Sequence, residues 1–265
     1  MAIAGRSPAT FPEFKSLPSM PRFFVDTPLY PDDSIALPDD VVRHVAVLRL
    51  QPGDPLVLFN GEGGEYGAEL VEVERRSARV KIREFRALEV EPPYRLTLAQ
   101  GIAGGDKMDW LIEKAVELGA SGFVPLAAAR SVVRLSGERA LRRQQHWQGV
   151  VRASCEQCGR NRLPQVMAVQ EFGAWLDTLS REPAPGELRL LLSPRASISF
   201  AALPDAPPQG HVTLLIGPEG GLSADEESAA GEQGFTAVGL GPRVLRTETA
   251  GIAVLAALAA RWGGW

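Results

Sequence analysis

Cysteine is nearly absent from this chain: 265 residues include only Cys155 and Cys158. That excludes a disulfide framework and suits a reducing cytoplasm. Histidine is scarce too, with only His44, His146 and His211, none at ligand spacing from Cys155-Glu156-Gln157-Cys158. A single CxxC pair offers too few donors for a four-ligand zinc site, so no metal is expected. The pair also falls near a predicted helix end rather than after a strand, which argues against redox chemistry. The longest apolar run, Ile252 to Ala260, has nine residues, where a membrane span needs roughly 18; no membrane partner is expected. There is no excess of basic charge, since 28 Lys and Arg face 32 Asp and Glu, a net of -4. A uniformly basic nucleic-acid coat is excluded, while a local basic patch is not. Nothing resembles a nucleophile elbow or a catalytic triad.

What is present is ordinary for a globular protein. Hydrophobic residues make up 45% and charged residues 23%, enough apolar surface to build a core. The length suggests two domains at roughly 100 to 200 residues each. Residues 1–19 lack an apolar signal core and are expected to be a disordered extension, as from an upstream start codon.

From Met20 to Leu88 the pattern is of short strands between turns. Arg22 to Val25, Ser34 to Leu37, Pro55 to Phe59, Tyr66 to Val73 and Ala78 to Phe85 are the candidates, with a helix over Asp39 to Ala46. Many short strands in so few residues predict a small β-barrel over 20–88. Glu89-Val90-Glu91-Pro92-Pro93 reads as an extended linker. Beyond Tyr94, over 94–265, strands and helices alternate, which predicts an α/β domain with a mostly parallel sheet. Its strands are Arg95 to Gln100, Gly122 to Leu126, Leu188 to Leu192, Val212 to Ile216 and Phe235 to Leu240. Its helices begin after Asp106, at Gly137, after the capping box of Ser223 and Glu226, and at Thr247.

Three constellations carry chemical meaning. The strand ending at Ile216 runs into Gly217-Pro218-Glu219-Gly220-Gly221-Leu222-Ser223 and then a helix. Ligands of open α/β sheets bind at such strand ends, and glycines free main-chain amides to meet them. The spacing is neither that of a Walker loop nor of a dinucleotide fingerprint; taken alone, it fits a tight turn as well as a ligand loop. A second loop, Leu240-Gly241-Pro242-Arg243-Val244-Leu245-Arg246-Thr247-Glu248-Thr249-Ala250, follows the last strand and opens a helix of small aliphatic residues. The third is a basic cluster: between Arg130 and Arg162 eight arginines face two glutamates, a local balance of +6. Guanidinium groups suit phosphate, although charge runs are most often solvated faces.

Cys155-Glu156-Gln157-Cys158-Gly159-Arg160-Asn161-Arg162 and the two glycine loops occur in that order, with Pro21-Arg22, Val47-Leu48-Arg49 and Phe59-Asn60-Gly61 before them. Together they resemble the bacterial 16S ribosomal RNA (uracil-N3)-methyltransferases, of the SPOUT class of knotted methyltransferases, from about Met20 to Trp262. The resemblance implies a C-terminal trefoil-knot domain, an exception to unknotted topology, with a PUA-like RNA-binding barrel before it. It implies S-adenosylmethionine bound in the knot by Leu215, Ile216, Gly217, Pro218, Gly220, Gly221, Leu240, Gly241, Val244, Leu245 and Thr249. It implies a homodimer through the knotted domain. The substrate would be one uridine in the decoding region of 16S rRNA, on the assembled small subunit.

Uracil N3 carries a proton and is a poor nucleophile, so methylation needs that proton removed or the developing charge stabilised. Arg246 is assigned to the uracil oxygens and Glu248 or Glu219 to proton removal; a mutual pair of Arg246 and Glu248 capping the helix is the structural alternative. Arg22, Arg49, Lys107, Arg160 and Arg162 are the candidate RNA contacts. A ribosome-assembly factor without catalysis and a SPOUT enzyme acting on ribose or another base are the rival readings.

Overall fold

A computed structural model describes residues 20–265, and the expected disordered extension lies outside the described residues. The N-terminal part contains β1 (Arg22–Phe24), β2 (Ser34–Ala36), α1 (Asp39–Val47), β3 (Pro55–Phe59), β4 (Glu65–Val73) and β5 (Ala78–Arg86). They form one sheet in the order β1-β3-β4-β5-β2, parallel between β1 and β3 and antiparallel elsewhere. Alternation along β3 and β5 sends Leu56, Leu58, Val80 and Ile82 into one apolar cluster, which Val41 and Val45 of α1 complete. Register shifts at Gly67/Ala68 and Leu70/Glu72 bend the β4–β5 ribbon, as bulges do.

The C-terminal part follows as β6 (Arg95–Gly101), α2 (Lys107–Glu117), β7 (Gly122–Ala127), α3 (Gly137–Cys158), β8 (Gln165–Val166), β9 (Gln170–Glu171), α4 (Phe172–Asp177), β10 (Leu188–Leu192), β11 (Ile198–Ser199), β12 (His211–Ile216), α5 (Ala224–Glu232), β13 (Thr236–Gly239) and α6 (Thr247–Trp262). The sheet order is β11-β13-β10-β12-β6-β7-β8, with β9 also on β7. Every pairing in it is parallel. Parallel strands must be covered on both faces, and the central strands show it. Leu190, Leu214 and Ile216 enter the cluster shared with α2, α3 and α6, whereas Leu191 and Leu215 enter the one shared with α4 and α5.

The last connection shapes the functional end of the domain. From β13, on the far side of β10, the chain returns past the carboxyl ends of β10 and β12 before α6 packs on α2 and β12. The contact is close: a Cβ at Gly251 of α6 would lie 3.0 Å from Ile216 Cδ1.

The two parts meet through a polar seam. Arg160 donates to both oxygens of Glu91 at 2.9 and 2.5 Å and to the carbonyls of Val116 and Ala120, at the end of α2. Arg22 pairs with Glu65 and donates to Asn161 Oδ1 at 2.7 Å. The Phe24 amide donates to Glu156 at 3.0 Å. The block from Cys155 to Arg162 is therefore the joint between the two parts.

Candidate active site

The two glycine loops face one another across a single cavity of about 550 Å³, within the size range of small-molecule sites. Its walls include Ile216, Gly217, Pro218, Gly220 and Gly221 from the first loop, and Leu240, Gly241, Val244 and Leu245 from the second. They follow the carboxyl ends of the parallel strands β12 and β13. The first loop is tight: a Cβ at Gly217 would lie 2.7 Å from the Leu222 amide nitrogen. The second is open, since Gly241 has φ +105° and a Cβ there would meet nothing within 4 Å. Two of the predicted cofactor residues stand apart. The Leu215 side chain is fully buried in the opposite core, because neighbouring strand residues point to opposite faces. Thr249 is exposed and off the cavity wall.

A third loop, Leu192-Ser193-Pro194, completes the wall with Val238 and Glu227. The two glycine motifs do not mark it, yet it follows the same rule: Leu188 to Leu192 is a predicted buried strand, and its carboxyl end is where a ligand of a parallel sheet sits. Glu227 is engaged within this wall, accepting from Ser193 Oγ at 3.1 Å and pairing with Arg195 at 2.9 Å.

Arg246, Glu248 and Glu219 all line the cavity. Arg246 stands at the N-cap position of α6, makes no side-chain cap and is exposed. Among the described residues Arg246 and Glu248 form no ion pair, so the mutual-pair alternative is not what the structure contains. Glu248 Oε2 is buried without a hydrogen-bond partner among the described residues. Glu219 is tethered, accepting from the Gly104 amide and from Lys107 Nζ, each at 2.8 Å. Burial pushes its carboxyl up, but Lys107 and the Gly104 amide outweigh burial and hold it below the usual carboxylate range.

The candidate RNA contacts separate. Arg49 is exposed at φ +57°, a left-handed conformation uncommon for a residue with a side chain. Arg162 is exposed beside Glu89 at 3.3 Å. Lys107 is directed at Glu219 on the cavity rim. Arg160 and Arg22 lie in the seam instead of on an open face: both guanidinium groups are held there by carboxylates and by amide or carbonyl oxygens. Burying such a cation requires these partners, and sequence alone does not reveal them.

The chain is similar to known proteins over most of its length. Residues 90–259 match the RNA methyltransferase domain family and residues 37–83 the RNA methyltransferase PUA domain. The Bacillus subtilis ribosomal RNA small subunit methyltransferase E is 32% identical over 90% of this chain and 96% of its own length. The chain belongs to that methyltransferase E family. Its Mycobacterium tuberculosis relative is 34% identical over 91% of this chain and 92% of its own. Among solved structures, the Neisseria gonorrhoeae family member bound to S-adenosyl methionine is 36% identical, with a TM-score of 0.84 over 92% of this chain and 98% of its own. A Legionella pneumophila protein in complex with the same cofactor gives 33% and 0.84, over 91% and 97%. Family membership makes the chain an RNA methyltransferase with an RNA methyltransferase domain and a PUA domain.

Proposed function

We propose that this chain transfers a methyl group from S-adenosylmethionine to N3 of one uridine in the decoding region of 16S rRNA. It acts on the assembled small ribosomal subunit, in the cytoplasm, as a homodimer through the knotted domain. The observation that carries the reading is one cavity walled by both glycine loops, with Arg246 and Glu248 on it.

The residues present fit the cofactor. Leu192, Ile216, Val238, Leu240 and Leu245 offer an apolar wall for an adenine ring, and the loops around Gly217 and Gly241 bring main chain to the same wall. Glu248 Oε2, buried and without a hydrogen-bond partner among the described residues, is an acceptor in place for a proton donor entering the site. When bound, the cofactor supplies an electrophilic methyl group. Arg246 opposes the negative charge that grows on the uracil oxygens. Glu248 takes the N3 proton as the N3 electron pair forms the new bond. Glu219 is a poorer acceptor, because its charge is already held by Lys107 and the Gly104 amide. The partly open face of α6, with Ile252, Ala253, Ala256 and Ala257, suits close packing against a second copy.

The test is incubation with labelled S-adenosylmethionine and small subunits from cells lacking the modification, followed by nucleoside mapping. N3-methyluridine at one position is the expected product. A different methylated nucleoside would move the substrate assignment. Absence of both label and cofactor binding would leave an RNA-binding assembly factor.

A further inference from the structure

Gln100, the last residue but one of β6, lies opposite Ile216 in the register with β12, is 1% exposed, and does not line the cavity. A buried side-chain amide without partners is costly, so its contacts matter. Its Nε2 lies 2.9 Å from the Gly101 carbonyl, 3.2 Å from the Gly217 carbonyl and 2.9 Å from Thr247 Oγ1. The Thr247 hydroxyl, 2.6 Å from Gly217 O, donates to that same carbonyl. A closed triangle results, joining the end of β6, the first glycine loop and the start of α6. The backbones there already touch: a Cβ at Gly101 would stand 2.5 Å from Pro218 N and Cδ. Gln100 Oε1, by contrast, has no partner among the described residues. The amide is thus held wholly through its donor side, at the cost of an unmatched acceptor.

Thr247 lies between Arg246 and Glu248, so the anchor on its hydroxyl sets where both emerge on the cavity wall. We propose that Gln100 and Thr247 are positioning residues of the methyl-transfer site, their shared hydrogen bonds to Gly217 holding Arg246 and Glu248 in register with the first loop. This rests on the function proposed above. Gln100 lies off the cavity wall, and the Thr247 hydroxyl, at the wall, is engaged by Gly217 and Gln100; both act through geometry, to which transfer reactions are steeply sensitive.

The substitutions T247V and Q100M remove the donors while keeping approximate shape, and T247S keeps the hydroxyl. Three readouts are needed: cofactor affinity by calorimetry, kcat and KM for S-adenosylmethionine on small subunits, and thermal unfolding. T247V and Q100M are each expected to lower kcat by roughly 10- to 100-fold with weaker cofactor binding. T247S should restore kcat to within about threefold. The double variant should fall within about threefold of the worse single variant, because both substitutions break one unit. Wild-type kcat and cofactor affinity in folded T247V and Q100M would overturn the inference, and so would multiplicative losses in the double variant. Should Q100M fail to fold, T247V against T247S decides by the same criteria. An unsubstituted protein that neither binds the cofactor nor turns over overturns the proposed function and this inference together. An active unsubstituted protein with unaffected variants overturns this inference alone.

Discussion

Glu219 shows how neighbours settle the use of a carboxylate. Burial disfavours its charge, but the Lys107 ammonium and the Gly104 amide favour it more, leaving its pKa below the ordinary 4.5. A depressed folded value means that its link to Lys107 contributes fully above the unfolded pKa. That contribution is lost only as pH falls below 4.5 and through the folded value. Glu219 should therefore add no inflection to the pH–rate profile above about pH 5. The substitution E219Q is expected to leave the pH dependence of kcat unchanged, while E248Q lowers kcat by about 100-fold at every pH; rate measurements from pH 5 to 9 check this. Cys155 makes a second case. Its thiol is buried and pushed up to about 12 by that burial, with Arg160 opposing. Reactivity needs thiolate, so native protein at pH 8 should show no rapid labelling of Cys155 by a maleimide, and full labelling after denaturation, as read by mass spectrometry.

At the level of elements, the first glycine loop has no room to yield. Around Gly217 an added Cβ would meet Leu222 N at 2.7 Å and Gly221 C at 2.9 Å, both backbone. G217A is therefore expected to weaken cofactor binding by at least about tenfold, some 1.4 kcal/mol, measured by calorimetry on folded protein. The seam behaves differently. Arg160→Ala would strand Glu91 and two carbonyls without their donor, and breaking a buried pair costs about 3–5 kcal/mol. Denaturant unfolding should show that loss in the midpoint. These elements also mark what could be read beforehand. Buried strands such as Leu188–Leu192 and His211–Ile216, and the capping box of Ser223 with Glu226, announce themselves through local pattern. Asp106, a predicted cap, precedes α2 but makes no capping bond. Two-residue strands such as β8, β9 and β11, and the six-residue α4, are too short for any periodicity. Partners far apart in sequence, such as Glu91 and Arg160, have no local signature at all.

Over the whole molecule, a net charge of -4 leaves RNA attraction to local cations. Of the candidates, Arg49 keeps an exposed guanidinium outside the described ion pairs, whereas the basic cluster contributes Arg160 to the seam and Arg152 to Asp40 and the Phe24 ring. Arg49→Ala should weaken RNA binding and lower the slope of log affinity against log salt by about 1, measurable by titration at several salt concentrations. A seam arginine would change stability instead. The overall organisation into a strand-rich part and an α/β part was legible because hydrophobic periodicity changes near Tyr94. The docking between the parts was not, because one arginine looks like another until its partner is in place.

The return of the chain from β13 to α6 also dates the cavity within synthesis. Its walls come from segments near residues 192, 217, 240 and 248, and Gln100 reaches across 147 positions to Thr247. A nascent chain can build its first sheet and most of the second before residues 240–262 leave the ribosome, yet it has no cavity until they arrive. Contacts of such separation close late and slowly. The enzyme's ability to hold its cofactor therefore waits on residues 240–250, after both sheets have their strands.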